Sequence, residues 1–287
     1  MFGRQRSGAV ICPSCGRLVG VSDAKCLNCG RRNPGMWGLT GMVRGLGRDM
    51  GFVQLVMGGT ILLYGAMLAW DVQGIRSAGA FSFLSPSAKS LLAFGASGAL
   101  PVFGYGHWWT VLSAGWLHAG LLHIAFNLMW VRQLAPETAE LYGPGRMVIL
   151  YTVGSIAGFA LSSAVGAFLP FLGGARLSVG ASAPLFALLA ALVYYSRRGG
   201  SSHIGRQAWI WALILFGFGF FMGGVDNWAH VGGFAGGYLA AKVLDPLREE
   251  RGDHVLLGVA CLAATILSVA ASVVTFYLQI QPTLGSP

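Results

Sequence analysis

The sequence predicts an all-α polytopic membrane protein with a small cysteine-rich module at its N-terminal end. Hydrophobic residues make up 55% of the chain and charged residues only 10%, whereas a soluble domain carries about 25% charged residues. The charged residues lie between long apolar stretches rather than inside them. Four of the five cysteines fall within the first 29 residues. Composition therefore excludes an ordinary soluble enzyme.

These patterns divide the chain into four parts. Residues 1–33 form the cysteine-rich cytoplasmic module, and residues 34–49 are a Gly-rich linker with scattered arginines. We expect residues 50–245 to form a core of six transmembrane helices. Residues 246–287 then supply one additional transmembrane helix and a short tail.

Seven apolar stretches approach the roughly 20 residues that a helix needs to cross a bilayer. They lie near 51–70, 110–131, 147–169, 182–196, 207–223, 228–244 and 255–279. The fourth to sixth stretches are short, which is tolerated where neighbouring helices bury a span or the bilayer thins locally.

The distribution of basic residues predicts the orientation. With the N-terminus in the cytoplasm, all of the 19 Lys and Arg residues except Arg76, Lys89 and Arg176 lie on inside segments. Basic residues collect on cytoplasmic loops, so the net charge of +9 reflects membrane topology, and we expect no nucleic-acid partner. The polar, Arg-rich start shows no cleavable signal peptide. We expect a multi-pass protein of a bacterial inner membrane.

A long outside loop near residues 71–109, called the first loop below, is rich in aromatic side chains. Aromatic rings are enriched at membrane–water interfaces. The first loop is therefore expected to lie in the lipid interface.

The N-terminal cysteines form two Cys-x2-Cys knuckles, each followed by glycine. They are Cys12, Cys15, Cys26 and Cys29. This spacing resembles a zinc ribbon that binds one tetrahedral Zn²⁺ through four thiolates. On a reducing cytoplasmic side, metal binding is favoured over disulfides. The module's task is not readable from the sequence, and a cytoplasmic binding partner is the general expectation.

Two apolar stretches carry a hydroxyl and an imidazole. Ser182 follows Gly180 and precedes Pro184, a pattern that places Ser182 at the start of a helix, where an anion is favoured. His230 precedes a series of glycines that permit close helix packing. Either side chain could simply hydrogen-bond between helices. A serine and a histidine on facing helices can also form a nucleophile–base pair.

The second span contains His118, His123 and Asn127. The last two are four residues apart and therefore share a helix face. Donors at one depth could stabilise an oxyanion, although Asn and His also hydrogen-bond between packed spans. In the predicted topology the second, fourth and sixth spans all begin on the outer side. The hydroxyl, the base and the donors are thus expected at a similar depth.

Together these motifs resemble the rhomboid family of intramembrane serine proteases. His118, His123 and Asn127 match its His-x4-His-x3-Asn pattern, and Gly180-Ala181-Ser182 matches its Gly-x-Ser motif. Ala229, His230, Gly233 and Gly237 match Ala-His-x2-Gly-x3-Gly. The resemblance covers roughly residues 50–245. It implies a rhomboid-like six-helix bundle plus one C-terminal transmembrane helix.

The resemblance also implies roles for individual residues. Ser182 would be the nucleophile and His230 its base, with no carboxylate. The oxyanion would be held by His123, Asn127 and the backbone N–H of Ser182. Supporting positions are His118, Gly180, Phe186, Gly233 and Gly237.

The chain departs from the family pattern at four positions, one of which is Pro184, an unusual residue so close after Ser182. Ala183 replaces the usual glycine after the nucleophile, and its methyl group is expected to narrow the site. Thr110 follows Trp109 where the family has arginine. Phe186 can stack on the base but cannot donate a hydrogen bond. A second motif, Gly95-Ala96-Ser97-Gly98, resembles the nucleophile motif but lies in the first loop, and we interpret it as a loop.

The sequence thus predicts a serine endopeptidase that cleaves transmembrane protein substrates near their outer ends within the bilayer. One alternative is a catalytically silent rhomboid-like protein that binds client transmembrane helices. Another is a transporter, which is disfavoured because the polar residues cluster at one end of the bundle. Zinc would be structural, and catalysis would need no cofactor.

Overall fold

The computed structural model describes residues 5–12, 15–36, 49–77, 83–222 and 224–284. Most of the predicted linker therefore lies outside the described residues. The helices are α1 (Phe52–Trp70), α2 (Ala88–Phe94), α3 (Thr110–Ser113), α4 (Leu121–Tyr142), α5 (Pro144–Phe168), α6 (Ser182–Arg197), α7 (Ser202–Phe221), α8 (Asn227–Leu244), α9 (Gly252–Thr275) and α10 (Gln281–Leu284). The predicted all-α fold class is confirmed, and each predicted span except the second corresponds to one helix.

The N-terminal module is built on a two-stranded antiparallel sheet. Strands β1 (Ala9–Ile11) and β2 (Leu18–Gly20) pair in the register Val10 opposite Val19. Both valines are buried beside the cysteine sulfurs in a small cluster of their own. A core this small needs a metal or disulfides for stability, which agrees with the cysteine pattern.

Within the described residues, four helices are long and apolar enough to cross a membrane: α1, α5, α7, and α9 extended by a π-helical turn to Ile280. The bent pair of α3 and α4 would make a fifth. Helix α6 has only 16 residues and α8 has 18, as the short fourth and sixth stretches predicted. Such helices are accommodated by burial among longer neighbours.

The predicted second span, 110–131, is corrected by the structure. The chain is helical or 3₁₀-helical from Thr110 to Trp116, turns by 93°, and continues as α4 from Leu121. His118 therefore lies in the corner between the two segments rather than on the helix that carries His123. Glycine at position 120, in the corner, has an extended backbone that interrupts the helical hydrogen bonds.

Helix α6 lies at the centre of the bundle, between α5 and α8. Its residues from Ala183 to Val193 are all buried. Glycines bring the backbones together: a methyl group added at Gly237 would lie 2.5 Å from the Ala187 Cβ, and one added at Gly158 would lie 2.7 Å from the Ala183 Cβ. Small residues at such contacts let membrane helices approach closely.

The end of the bundle opposite Ser182, called the far end, is held by a polar clamp between α5 and α8. The Arg146 guanidinium donates to the carbonyl oxygens of Leu244, Asp245 and Arg248 at 2.8, 3.0 and 2.7 Å. A Glu250 carboxylate oxygen accepts the Arg146 backbone N–H at 2.8 Å. The clamp therefore satisfies carbonyls at the end of α8 and an N–H at the start of α5, as buried helix ends require.

The described part of the first loop is partly helical and exposes large apolar side chains. Phe83, Phe103 and Trp108 are 47%, 49% and 68% exposed. Exposed rings suit a loop that lies in the lipid interface. That placement, like the division of the chain into four parts, stays a prediction.

Candidate active site

Ser182 and His230 meet at one end of the bundle. Ser182 is the first residue of α6, and His230 lies in the first turn of α8. The Ser182 Oγ and the His230 Nε2 are 2.9 Å apart. The His230 side chain is buried, at 4% exposure, and Ser182 is half-buried. This geometry lets an imidazole accept the proton of a serine hydroxyl.

Phe186 fixes the plane of the His230 ring. It lies one turn after Ser182 on α6, and its ring stacks on the imidazole at a centroid distance of 4.3 Å and an angle of 14°. Stacking restricts rotation of the imidazole, so Nε2 stays directed at the hydroxyl. The predicted aromatic contact is present in the structure.

The other nitrogen of His230, Nδ1, has no hydrogen-bond partner among the residues the structure describes. If Nε2 accepts from Ser182, Nδ1 carries the ring proton. Within that part of the chain, the arrangement is a dyad without the carboxylate of a serine-protease triad.

The nearest acidic residue in sequence, Asp226, has a different set of partners. One carboxylate oxygen accepts the Ala229 backbone N–H at 3.0 Å and caps α8. The other accepts from the hydroxyls of Ser162 and Ser178, both at 2.6 Å. Asp226 thus joins α5, α8 and the segment that leads into Ser182. Sequence analysis missed this residue, although an Asp immediately before a helix is a capping signal.

His123 lies beside the turn that precedes Ser182. A methyl group added at Gly180 would lie 2.7 Å from the His123 Nε2 and 3.7 Å from the Ser182 Oγ, so both atoms lie on one side of Gly180. The His123 Nδ1 accepts the Ala119 backbone N–H at 3.4 Å. That tautomer leaves a proton on Nε2, which makes His123 a donor near the hydroxyl.

Asn127 follows one turn later on α4 and is 5% exposed. Its Nδ2 donates to the His123 carbonyl oxygen at 2.9 Å. The two residues share a helix face, as their spacing predicted. In this conformation one N–H of the Asn127 amide is used within its own helix, and the other N–H is the donor that could serve an oxyanion.

His118 is fully buried and lies against the turn that precedes Ser182. Its Nε2 accepts the Ala181 backbone N–H at 3.4 Å, and its ring lies 4.9 Å from that of His123. Its contact is thus with the residue just before Ser182. A supporting position agrees with this geometry better than a third oxyanion donor.

Gly180 has a φ of +133°, which L-residues with side chains rarely adopt. Its N–H donates to the Ala114 carbonyl oxygen at 2.9 Å. These two features form a tight turn immediately before Ser182.

The expected effect of Ala183 is corrected. The residue is fully buried in a cluster with Ala114, Phe159 and Ala229, and its methyl group packs against Gly158 on α5. It fills a contact between helices and so does not narrow the site.

The second serine motif is structural. Ser97 exchanges two backbone hydrogen bonds with Ser178, at 3.0 and 2.7 Å. Its buried hydroxyl lies 3.4 Å from the Ser163 hydroxyl. Thr110, where arginine was expected, is also buried and donates to the His107 carbonyl oxygen at 2.8 Å.

The four N-terminal cysteines form a cluster that could hold a metal ion, with all four sulfurs within 4.8 Å of one another. Cys12 and Cys29 are separated by 3.7 Å between sulfurs, as are Cys15 and Cys26. A tetrahedron with metal–sulfur bonds of about 2.3 Å has edges of about 3.8 Å, so the donor set fits such an ion.

The two knuckles have the same backbone hydrogen bonds. The backbone N–H of the first cysteine of each knuckle, Cys12 or Cys26, donates to the carbonyl oxygen of the residue five positions later. The N–H of the glycine that follows each knuckle donates to the carbonyl oxygen of the same first cysteine. Hydrogen bonds lower the pKa of the Cys15 thiol to about 6, and the largest contribution comes from the Arg17 backbone N–H. The Arg31 backbone N–H lowers the pKa of the Cys29 thiol, but burial and the neighbouring thiols outweigh it and raise that pKa to about 12. A thiolate is the form that binds metal.

Comparison with known proteins identifies a domain in the chain. Residues 105–246 match the family model described as the rhomboid domain. The chain carries a rhomboid domain. The matched residues include all three motifs around Ser182, and the resemblance inferred from them is confirmed.

Individual relatives agree with the domain. The chain is 32% identical over 186 residues to the rhomboid protease GluP of Bacillus subtilis, covering 63% of this chain and 35% of GluP. It is 31% identical over 166 residues to RHOMBOID-like protein 4 of Arabidopsis thaliana, covering 56% and 40% of the two chains. The chain thus spans well under two thirds of these relatives. Part of them lies outside the similarity, and the activity of this chain is a proposal.

Proposed function

We propose that the rhomboid domain is an intramembrane serine endopeptidase that cleaves transmembrane protein substrates by a Ser182–His230 dyad. The 2.9 Å contact between the hydroxyl and the imidazole carries this proposal. The protease named among the relatives supports it.

The proposed reaction follows from the atoms at the site. The Ser182 Oγ attacks the scissile carbonyl carbon while its proton passes to the His230 Nε2. The tetrahedral oxyanion is held by the His123 Nε2–H, the Asn127 amide and the Ser182 backbone N–H, which has no acceptor inside its own helix. The C–N bond then breaks and His230 returns the proton to the leaving amine. Water, deprotonated by His230, hydrolyses the acyl-enzyme ester.

The site's position in the bundle suggests where substrates are cut. Ser182, His230 and His123 all lie in first turns of helices. With the N-terminus in the cytoplasm, these ends face the outer side, so cleavage falls near the outer ends of substrate helices. A substrate helix must unwind locally, because its peptide groups are otherwise hydrogen-bonded within the helix.

A catalytically silent member that binds client transmembrane helices is the second candidate. Labelling with a fluorophosphonate probe separates the two, because the probe reacts with an activated serine. We expect the full-length protein to be labelled at Ser182 and the Ser182→Ala variant to remain unlabelled. Absence of labelling in the wild-type protein, together with no cleavage of a model transmembrane substrate, would favour the silent binder.

We further propose that the four cysteines bind one structural Zn²⁺. The sulfur spacing near 3.7 Å supports a tetrahedral site, and thiolates favour zinc in a reducing cytoplasm. Zinc content measured on the purified protein should be one ion per chain. The module's role would be to bind a cytoplasmic partner, apart from catalysis at the other side of the bilayer.

The proposed location is a bacterial inner membrane, with the N-terminus in the cytoplasm and the lipid bilayer as the protein's environment. The bias in basic residues supports the orientation. Accessibility of a tag at either terminus in spheroplasts would test it.

A further inference from the structure

Two successive turns of helix α9 form hydrogen bonds with Trp109 of the first loop. The Ser268 hydroxyl donates to the Trp109 carbonyl oxygen at 2.7 Å, and the Trp109 indole N–H donates to the Ser272 hydroxyl at 3.2 Å. Both serines are buried, at 3% and 1% exposure. They lie outside the residues that match the rhomboid domain, so the family model does not account for this contact.

The π-helical turn that extends α9 to Ile280 also contacts the first loop and the end of α1. Gln279 lies 2.9 Å from the His107 Nε2, and the Trp70 indole N–H donates to the Tyr277 hydroxyl at 2.7 Å. The fully buried Phe276 packs edge-on against Trp70 at 5.5 Å. The contacts at His107 and Trp109 therefore hold the loop against α9 and its π-helical extension, and the contacts at Trp70 continue the same interface onto α1.

Trp109 leads directly into α3, which is bonded to the nucleophile's turn. The carbonyl oxygen of Ala114, just after α3, accepts the Gly180 N–H at 2.9 Å. The Val111 carbonyl oxygen accepts the Ser155 hydroxyl of α5 at 2.8 Å. Gly180 is two residues before Ser182. A displacement of α3 would therefore move the backbone that presents the nucleophile.

We propose that Ser268 and Ser272 are positioning residues, which act through Trp109 and α3 on the turn that carries Ser182. The C-terminal helix is then a working part of the catalytic core rather than an accessory span. This inference rests on the proposed proteolytic function. Hydrogen bonds in a low-dielectric environment hold geometry firmly, and small displacements of a reacting group strongly slow a reaction.

Thr265 provides a matched control. It lies on the same buried stripe of α9, at 5% exposure, but its hydroxyl donates to the Cys261 carbonyl oxygen of its own helix at 3.0 Å. Its replacement removes a buried hydroxyl from the same helix without touching the described part of the first loop.

The test compares the Ser268→Ala/Ser272→Ala double variant with Thr265→Val in the full-length protein. Cleavage of a model transmembrane substrate gives kcat and KM, and hydrogen exchange reports the backbone of residues 178–182. We expect kcat of the double variant to fall by tenfold or more, since a misplacement of about 1 Å can slow a reaction about a hundredfold. KM should stay unchanged, exchange at 178–182 should accelerate, and Thr265→Val should match the wild type.

Equal kcat and equal exchange in the double variant and in Thr265→Val would overturn the inference. If the wild type neither cleaves nor is labelled at Ser182, the proposed function fails, and the exchange measurement alone then decides on the positioning. If the double variant does not fold, Ser272→Ala, which keeps the Ser268 bond to Trp109, takes its place under the same criteria.

Discussion

Replacing Gly237 by alanine is expected to push apart the two helices that carry Ser182 and His230. The added methyl group would lie 2.5 Å from the Ala187 Cβ and 2.6 Å from the Ala187 carbonyl oxygen, and it would also clash with the Ala187 Cα. Backbone atoms of a buried helix cannot rotate away as a flexible side chain can. The whole of α6 or α8 must therefore shift.

Forcing an extra methyl group into a packed contact typically costs about 1–3 kcal/mol. For a domain of this size, each kcal/mol lowers Tm by about 2–4 °C, so Tm should lie about 2–12 °C below that of a glycine-to-alanine variant in which the added methyl group meets no clash. The shift also lengthens the contact between the Ser182 Oγ and the His230 Nε2, so substrate cleavage should slow. Thermal unfolding in detergent and a cleavage assay on the same sample measure both effects.

Gly217→Ala is the matched control. It lies within α7, and an added methyl group there meets no atom of the described structure within 4 Å. Alanine favours a helix over glycine by about 1 kcal/mol, so Tm should not fall. If both variants have the same Tm, the helices can accommodate a methyl group at Gly237, and the argument from close backbone approach is refuted.

Four further outcomes are expected. Ser182→Ala and His230→Ala should each abolish cleavage, and the double variant should be no worse because the effects of coupled residues are not additive. Ser97→Ala is the control and should stay active, whereas normal turnover without Ser182 would contradict the dyad. Asn127→Ala should lower kcat about a hundredfold, the usual effect of one oxyanion donor, and an unchanged rate at unchanged stability would make Asn127 structural. Asp226→Ala should destabilise the fold by about 1 kcal/mol through loss of the helix cap, and it should slow labelling of Ser182 by the fluorophosphonate probe. Labelling at the wild-type rate would show that Asp226 acts only as a helix cap. Replacing the four cysteines should remove zinc from the protein. The zinc affinity of the intact protein should fall as pH is lowered, because protons compete with the metal for thiolates. A metal content that does not depend on the cysteines would refute the site.

The sequence predicted those parts of the site that depend on local pattern. Gly180 and Pro184 predicted that a helix begins at Ser182, and α6 does begin there. The spacing of His123 and Asn127 predicted a shared face, because residues four apart on a helix are neighbours. Two Cys-x2-Cys knuckles predicted a four-sulfur cluster, and the sulfurs do converge.

The sequence did not predict features that depend on contacts distant along the chain. His118 was placed on a continuous span because apolar composition does not record a 93° turn. Asp226 was missed because its serine partners lie 64 and 48 residues away. The methyl of Ala183 was expected to face the substrate, since no local pattern shows that Gly158 leaves room for it. Burial and partner identity are tertiary properties in each case.

Helices α5 and α8 are fastened to each other at two points. At one end Ser162 of α5 donates to Asp226, and at the far end Arg146 of α5 donates to the last carbonyl of α8. The 16 residues between these points on α5 correspond to about 24 Å of helix. The two helices are joined near both ends, and glycines bring their backbones into contact between these points. We therefore expect neither helix to rotate against the other or to slide along it. The pair is therefore expected to be rigid, and under the proposed function the motion that admits a substrate helix to Ser182 must come from elements outside it.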